Sequence, residues 1–136
     1  MKYEFFEHTA DAKFRAYGKN LEEAFSNAAL AMTSVMVEPN KIKADEERSI
    51  EVSGADIKAL LYNFLEEILF LLDSEGFFLS KVKELEIDGD CLKAVLAGDS
   101  SSTPHETHGD VKAVTYNEME IYMGKDRCYV QVVVDV

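Results

Sequence analysis

The sequence predicts an α+β fold in which two helices pack on one face of a mostly antiparallel or mixed β-sheet. Two long stretches, residues 21–36 and 57–72, carry apolar residues at helical spacing, and several shorter stretches have the character of strands. Each predicted helix has one apolar face, and a sheet with an apolar face can cover both. Residues 1–136 are expected to form one domain, because 47% hydrophobic residues are enough for one core.

The first two strands are predicted at residues 3–6 and 13–17, on either side of the sequence HTAD at residues 8–11. His8 and Asp11 occupy this turn, where a glycine-containing turn would have sufficed. The presence of these two side chains calls for an explanation beyond turn geometry.

The first helix is predicted to begin after Asn20, which forms a capping-box pattern with Glu23, and to stop at Glu38-Pro39. Its apolar residues share one face: Leu21, Ala24, Phe25, Ala28, Met32, Val35 and Met36. The first helix is therefore amphipathic.

The second helix is predicted after Ser53 and Asp56, a pair that can cap its first turn, and it ends at Gly76. Its apolar residues form an unusually wide stripe: Ile57, Leu60, Leu61, Phe64, Leu65, Ile68, Leu69 and Leu72. A stripe of this width favours a helix that lies across a sheet.

Five further strands are predicted along the rest of the chain, at residues 47–52, 81–87, 91–97, 111–122 and 127–134. Turn sequences at residues 88–90 and 124–126 join four of these strands into two hairpins. Residues 98–110 show neither helical nor strand periodicity and are predicted to form a polar loop.

The charge of the chain limits its partners. Twenty-six acidic residues against fourteen basic residues give a net charge of −12, and such a surface repels a phosphate backbone. Direct binding to nucleic acid is therefore not expected. The charge is compatible with docking onto a basic protein, and equally with a role in solubility alone.

The sequence predicts a soluble, cytoplasmic protein with no membrane partner. Lys2, Glu4 and Glu7 interrupt any signal peptide, and charged residues also interrupt the most apolar later stretch. Cys91 and Cys128 are far apart and lie in apolar, strand-like runs. This placement favours two buried thiols over a disulfide.

Most motifs that would indicate an enzyme are missing from the sequence. The Asp88-Gly89-Asp90 segment lacks the spacing of a calcium-binding loop and is better explained as a hairpin turn. His105 and His108 are a weak zinc signal, because no second pair of ligands lies near them in sequence. Without a nucleophile motif or a phosphate-binding loop, the chain is not expected to be a self-contained enzyme.

The end of the chain is the strongest indication of a site. An apolar strand places Asp135 beside the free carboxylate of Val136, and negative groups on a packed segment call for a cation. If the first turn lies beside this strand end, Asp11 adds a third carboxylate. Such oxygen ligands favour calcium or magnesium over zinc or copper. The alternative is that all three groups simply face water.

Five segments, in the same order along essentially the whole chain, together resemble the archease family. They are HTAD at 8–11, LEEAF at 21–25 running into AALAM at 28–32, DSEG at 73–76, VKAVTY at 111–116 and VVDV at 133–136. The resemblance implies a small cytoplasmic helper of the RtcB-type RNA ligase, the enzyme that seals tRNA halves during tRNA splicing. Such helpers promote guanylylation of the ligase, which loads a ligase histidine with GMP, and thereby restore its turnover.

The resemblance also implies a bound metal, usually calcium, with Asp11, Asp135 and Val136 as ligands. On this interpretation Asp11 holds a cation against the chain end, while His8 and Thr9 shape the turn. The ligase carries the catalysis.

Two residues depart from the family pattern. Asn117 replaces a histidine that commonly follows the VKAVTY segment, and Pro104 replaces an arginine that often precedes His105-Glu106. If either position contacts the ligase, the fit to this partner differs. The three expected metal positions are intact.

Three functions are considered for this sequence. The first is activation of the RNA ligase, which the full-length resemblance and the acidic charge support. The second is a general chaperone or a modulator of another RNA-processing enzyme, such as a tRNA methyltransferase. The third, a metal-dependent hydrolase that uses Asp11 and Asp135, is the weakest, because no candidate base or nucleophile accompanies these ligands in sequence.

Overall fold

The computed structural model describes residues 1–101 and 105–136. It has the predicted α+β composition, with two α-helices and eight strands in the described ranges. In chain order the elements are β1 Tyr3–Phe6, β2 Asp11–Gly18, α1 Leu21–Met36, a 3₁₀ turn Pro39–Lys41, β3 Glu46–Ser53, α2 Ile57–Glu75, β4 Phe78–Asp88, β5 Cys91–Asp99, β6 Ala113–Val114, β7 Glu120–Met123 and β8 Cys128–Asp135.

The strands form two antiparallel sheets, whereas a single sheet was predicted. One sheet has the order β1-β2-β8-β6, with β7 also pairing with β8, and the other has the order β3-β5-β4. A strand has only two edges for pairing. Strand β5 pairs with β3 along one edge and with β4 along the other. Strand β8 pairs with β2 along one edge, and β6 and β7 pair in succession with its other edge. The two groups of strands therefore remain separate.

Both helices begin at side-chain caps. The side chain of Asn20 accepts a hydrogen bond from the Glu23 amide at 2.9 Å, and that of Asp56 accepts one from the Ala59 amide at 2.8 Å. Ser53, the other predicted cap of α2, is instead the last residue of β3. Gly76 ends α2 in the left-handed region, with φ 67°, where glycine is favoured because it has no Cβ.

The core lies between the helices and the two sheets. Helix α1 contacts β2 and β8 of one sheet and β4 of the other, and α2 contacts β3 as well as β6. Where the helices meet, the rings of Phe25 and Phe64 stack with centroids 6.2 Å apart, and both side chains are fully buried. The wide apolar stripe of α2 is explained by this double contact.

Residues 111–122 were predicted as one strand, and this prediction is wrong. The segment pairs with β8 only at Ala113–Val114 and again from Glu120 onward. Between these pairs Tyr116 leaves the sheet and stacks on Tyr62 of α2, with ring centroids 4.4 Å apart. Glu118 then adopts φ 52°, in the left-handed region, which interrupts the strand.

The predicted loop at 98–110 is shorter than expected, because Gly98 and Asp99 belong to β5. Its described end packs against the C-terminus of α1. The backbone amide of His108 donates to the Met36 carbonyl at 2.9 Å, and His108 Nε2 lies 2.8 Å from the Ser34 carbonyl oxygen.

In the described ranges, neither helix is long and apolar enough to cross a membrane. Cys91 and Cys128 are free thiols, as predicted, and they belong to different sheets. Cys128 is buried, whereas Cys91 is only half-buried and lies 3.3 Å from a carboxylate oxygen of Glu51.

Candidate metal site at the end of strand β8

Strand pairing brings the first turn and the chain end together. Asp11 is the first residue of β2 and Asp135 the last residue of β8, and they are direct partners in the antiparallel register. Residues opposite each other in such a pair point to the same face of the sheet. Because Phe14 and Val132 fill the core face, the two carboxylates project from the opposite, outer face.

The backbone of Asp135 is fixed from both sides. Asp11 pairs with it on the β2 side, and Ala113 of β6 pairs with it on the other. The amide of Lys112 also donates to the Asp135 carbonyl at 2.7 Å. The exposed Val136 follows directly after this paired residue.

Two like charges directly opposite each other destabilise a strand pair. Asp11 and Asp135 form such a pair. A divalent cation that binds both carboxylates would remove this repulsion. The donor set, two Asp side chains and a chain-end carboxylate, therefore suits a hard cation.

A cluster of three polar side chains, His8, Lys13 and Glu118, begins beside Asp11. His8 Nε2 donates to Glu118 Oε2 at 2.7 Å, and Lys13 Nζ donates to Glu118 Oε1 at 3.1 Å. The hydrogen bond from His8, followed by that from Lys13, lowers the pKa of the Glu118 carboxyl group. Glu118 was missed because residues 111–122 were predicted as a continuous strand.

The turn itself aims His8 at Asp11. Ala10 adopts φ 62°, a left-handed conformation that costs a non-glycine residue about 1–2 kcal/mol. The chain then enters β2 at Asp11, whose Oδ2 lies 3.4 Å from His8 Nδ1. His8, Asp11 and Glu118 thus form one continuous row of polar side chains.

Within the described ranges, no three His, Cys, Asp or Glu side chains converge closely enough to hold a metal. A cation at Asp11 would therefore take further ligands from water, from main-chain oxygens, from the Val136 carboxylate or from the Asp135 side chain after rotation. The assignment of Asp11, Asp135 and Val136 as ligands stays a prediction.

The other candidates from the sequence do not form a site. His105 Nε2 lies 3.3 Å from Asp99 Oδ2, whereas the His108 ring contacts the Ser34 carbonyl, so the two imidazoles have separate partners. Asp88 and Cys91 bound a hairpin turn in which Gly89 has φ 62°, as the turn prediction required.

Of the two residues that depart from the pattern of the resembled family, the structure describes Asn117. Asn117 is exposed, and its amide lies 3.3 Å from Thr115 Oγ1, directly before Glu118. It is therefore available on the surface beside the candidate site. Pro104 lies outside the described residues.

Comparison with known proteins identifies the class first. Residues 3–136 match the model of the Archease protein family. The archease of Methanothermobacter thermautotrophicus is 45% identical over 122 residues, which cover 88% of this chain and 87% of that protein. The Pyrococcus abyssi archease is 43% identical over 141 residues, which cover 99% of each chain.

Solved structures agree with this match. The solution structure of Methanobacterium thermoautotrophicum protein 1598 superposes with a TM-score of 0.84 at 41% identity and covers 99% of both chains. The crystal structure of a Thermotoga maritima archease, described as a possible chaperone, has a TM-score of 0.61 at 17% identity. It covers 96% of this chain and 94% of its own, and at this identity it supports the fold alone. The chain belongs to the archease family.

Proposed function

We propose that this archease activates an RtcB-type RNA ligase. It promotes guanylylation of the ligase and so supports multiple rounds of tRNA splicing. Membership of the archease family along residues 3–136 is the observation that carries this proposal. The acidic charge of −12 adds support, because an acidic protein is complementary to the basic cleft in which a ligase holds RNA.

The ligase carries all of the covalent chemistry in this proposal. The archease acts as a protein partner that favours the conformation of the ligase that accepts GMP, and it is not itself an enzyme. It acts in the cytoplasm, where tRNA is processed.

The surface that acts on the ligase includes the end of β8. We propose that Asp11, Asp135 and the Val136 carboxylate bind a calcium-type cation; magnesium is the alternative. Their pairing across β2 and β8 supports this assignment, since it sets two carboxylates directly opposite each other. When bound, the cation neutralises these charges and fixes the turn at residues 8–11 against the chain end.

A second candidate is a general chaperone, or a modulator of another RNA-processing enzyme such as a tRNA methyltransferase. The basis for this alternative is shared family membership, since the Thermotoga maritima archease is described as a possible chaperone. A chaperone would protect many unrelated proteins, whereas a ligase activator would change one catalytic step.

A mixing assay tests the proposal. Ligase alone, ligase with the archease and the archease alone are compared for GMP loading and for ligation over many turnovers. We expect loading and turnover to increase only when both proteins are present. Equal loading with and without the archease would contradict the proposal, and protection of an unrelated aggregating protein in a parallel assay would favour the chaperone.

A further inference from the structure

The His8 ring is held from one side by a carboxylate. Its Nε2 donates to Glu118 Oε2 at 2.7 Å, while Lys13 binds the second oxygen of the same carboxylate. This arrangement places the ring proton on Nε2 and leaves a lone pair on Nδ1. A histidine that binds a metal through one nitrogen typically donates the other N–H to a carboxylate in this way.

The free nitrogen of His8 faces Asp11. Nδ1 is buried from solvent, and among the described residues it has no hydrogen-bond partner. It nevertheless lies 3.4 Å from Asp11 Oδ2. A buried acceptor beside a carboxylate oxygen, without a donor between them, is an arrangement that a cation would complete.

The geometry points to His8 Nδ1 as a nitrogen ligand of the cation at Asp11, with Glu118 fixing its tautomer, so that the site accepts Mn²⁺ or Zn²⁺ as well as calcium. Two ligand atoms bound at about 2.1 Å and at a tetrahedral angle lie about 3.4 Å apart. The separation of His8 Nδ1 and Asp11 Oδ2 agrees with this value. This inference rests on the metal site of the proposed function and adds a nitrogen ligand to its oxygen ligands.

A simple ion pair does not account for the same contacts. A doubly protonated His8 would donate from Nε2 to Glu118 and from Nδ1 to Asp11. The contact to Asp11 is close enough for charge attraction, but Nδ1 makes no hydrogen bond in that direction. The position of Nδ1, buried and without a hydrogen bond but facing a carboxylate oxygen, is the geometry that a shared cation would satisfy.

The nitrogen ligand widens the range of metals that the site accepts. Calcium and magnesium bind oxygen almost exclusively, whereas imidazole suits zinc and other transition metals. With His8 and Asp11 as the first two ligands, the Asp135 side chain, after rotation, and the Val136 carboxylate would complete the coordination from the neighbouring strand end. The cation would then link the first turn to the end of β8.

Metal titration of the full chain tests this inference. Mn²⁺, Zn²⁺ and Ca²⁺ are titrated separately into wild type, His8→Ala, Glu118→Gln and Asp11→Asn, with His108→Ala as a control, because the His108 ring contacts Ser34 elsewhere in the fold. Circular dichroism establishes that each variant is folded. We expect His8→Ala to weaken Mn²⁺ and Zn²⁺ binding at least about 10-fold and Glu118→Gln to weaken it about 10-fold, with a smaller change for Ca²⁺. His108→Ala should bind as wild type does.

The Mn²⁺ complex also gives a direct spectroscopic measurement. Pulsed electron paramagnetic resonance of the wild-type complex should show coupling to an imidazole nitrogen, and this coupling should vanish in His8→Ala. If Asp11→Asn abolishes binding but His8→Ala changes neither affinity nor spectrum, the role of His8 is wrong and the carboxylate site stands. If wild type binds none of the three cations, the metal site itself is wrong.

Discussion

At the scale of single residues, the proposed site depends on Asp11 and Asp135, which oppose each other at the ends of β2 and β8. The sequence could predict this pair, because a turn and a strand end supply both carboxylates. It could not predict Glu118, whose place beside His8 depends on a left-handed residue inside an apparent strand. Contacts made by such irregular backbone have no periodic signal in sequence.

The chain-end carboxylate can be tested without changing a side chain. Extension of the chain beyond Val136 replaces the Val136 carboxylate with a peptide group and moves the terminal negative charge away from the site. We expect calcium affinity to fall as it does in Asp11→Ala, because a hard cation loses a charged oxygen ligand in both cases. Isothermal titration calorimetry measures the affinity, and an equal extension before Met1 is the control. Unchanged calcium affinity in the C-terminally extended protein would refute the assignment of Val136.

Asp99 should make stability depend on pH. Its side chain is buried and accepts hydrogen bonds from the backbone amide and the hydroxyl of Ser101. The hydrogen bond from the Ser101 amide is the main reason why the pKa of Asp99 is lowered. Because the pKa of Asp99 is lower in the folded than in the unfolded protein, its charge stabilises the fold at pH values above the unfolded-state pKa, near 3.8. This stabilisation is lost as the pH falls through the folded-state pKa. Asp99→Asn should therefore be less stable than wild type at pH 7, with a difference that shrinks in acid.

Urea unfolding at a series of pH values measures this difference. Asp88→Asn, in the exposed hairpin turn, serves as the matched control. A destabilisation of Asp99→Asn that is the same at pH 7 and at about pH 2 would show that the charge of Asp99 is not the cause.

At the scale of elements, the helices were more predictable than the sheets. The predicted start of α1 after Asn20 and the end of α2 at Gly76 agree with the structure, because caps and helical periodicity are local signals. Division of the strands into two sheets depends on pairing between distant segments, such as β2 with β8. The prediction of one continuous strand at 111–122 was wrong because Tyr116 packs on α2, and this tertiary contact overrides the strand-like pattern of the segment.

Two phenylalanines on α2 test the packing of the helices. Phe64 is fully buried against Phe25, so Phe64→Ala should reduce the free energy of unfolding by about 3–5 kcal/mol. Phe70 lies on the same helix but is 59% exposed, so Phe70→Ala should change the free energy of unfolding by less than about 0.5 kcal/mol. Urea denaturation of both variants gives the comparison. Similar values for the two would mean that α2 does not pack with Phe64 inward.

At the scale of the whole molecule, charge and family membership indicate how the protein works. The net charge of −12 disfavours contact with RNA, and the chain belongs to the archease family. The partner that we propose is a ligase that holds RNA in a basic cleft, to which an acidic protein is complementary. The candidate site lies where β8 ends, and Asp135 and Val136 are exposed there. A cation bound there would be within reach of a protein partner.

The charge predicts the behaviour of the protein with RNA alone. Because no counterions are released when an acidic surface meets a phosphate backbone, binding to tRNA should be undetectable at about 150 mM salt. Fluorescence anisotropy with labelled tRNA measures this, and the ligase serves as the positive control. A tight complex of the archease and tRNA that weakens steeply with added salt would contradict the partner proposal.

The central claim is that a ligase recognises the cation site at the chain end. Asp11→Asn tests it, because the amide keeps the size of the carboxylate and one acceptor oxygen but removes the charge. We predict that the variant no longer stimulates GMP loading of the ligase, while its melting temperature in chelator stays within a few degrees of the wild-type value in chelator. Both quantities are measured on the same sample. Full stimulation by this variant, shown to be free of metal, would contradict the claim.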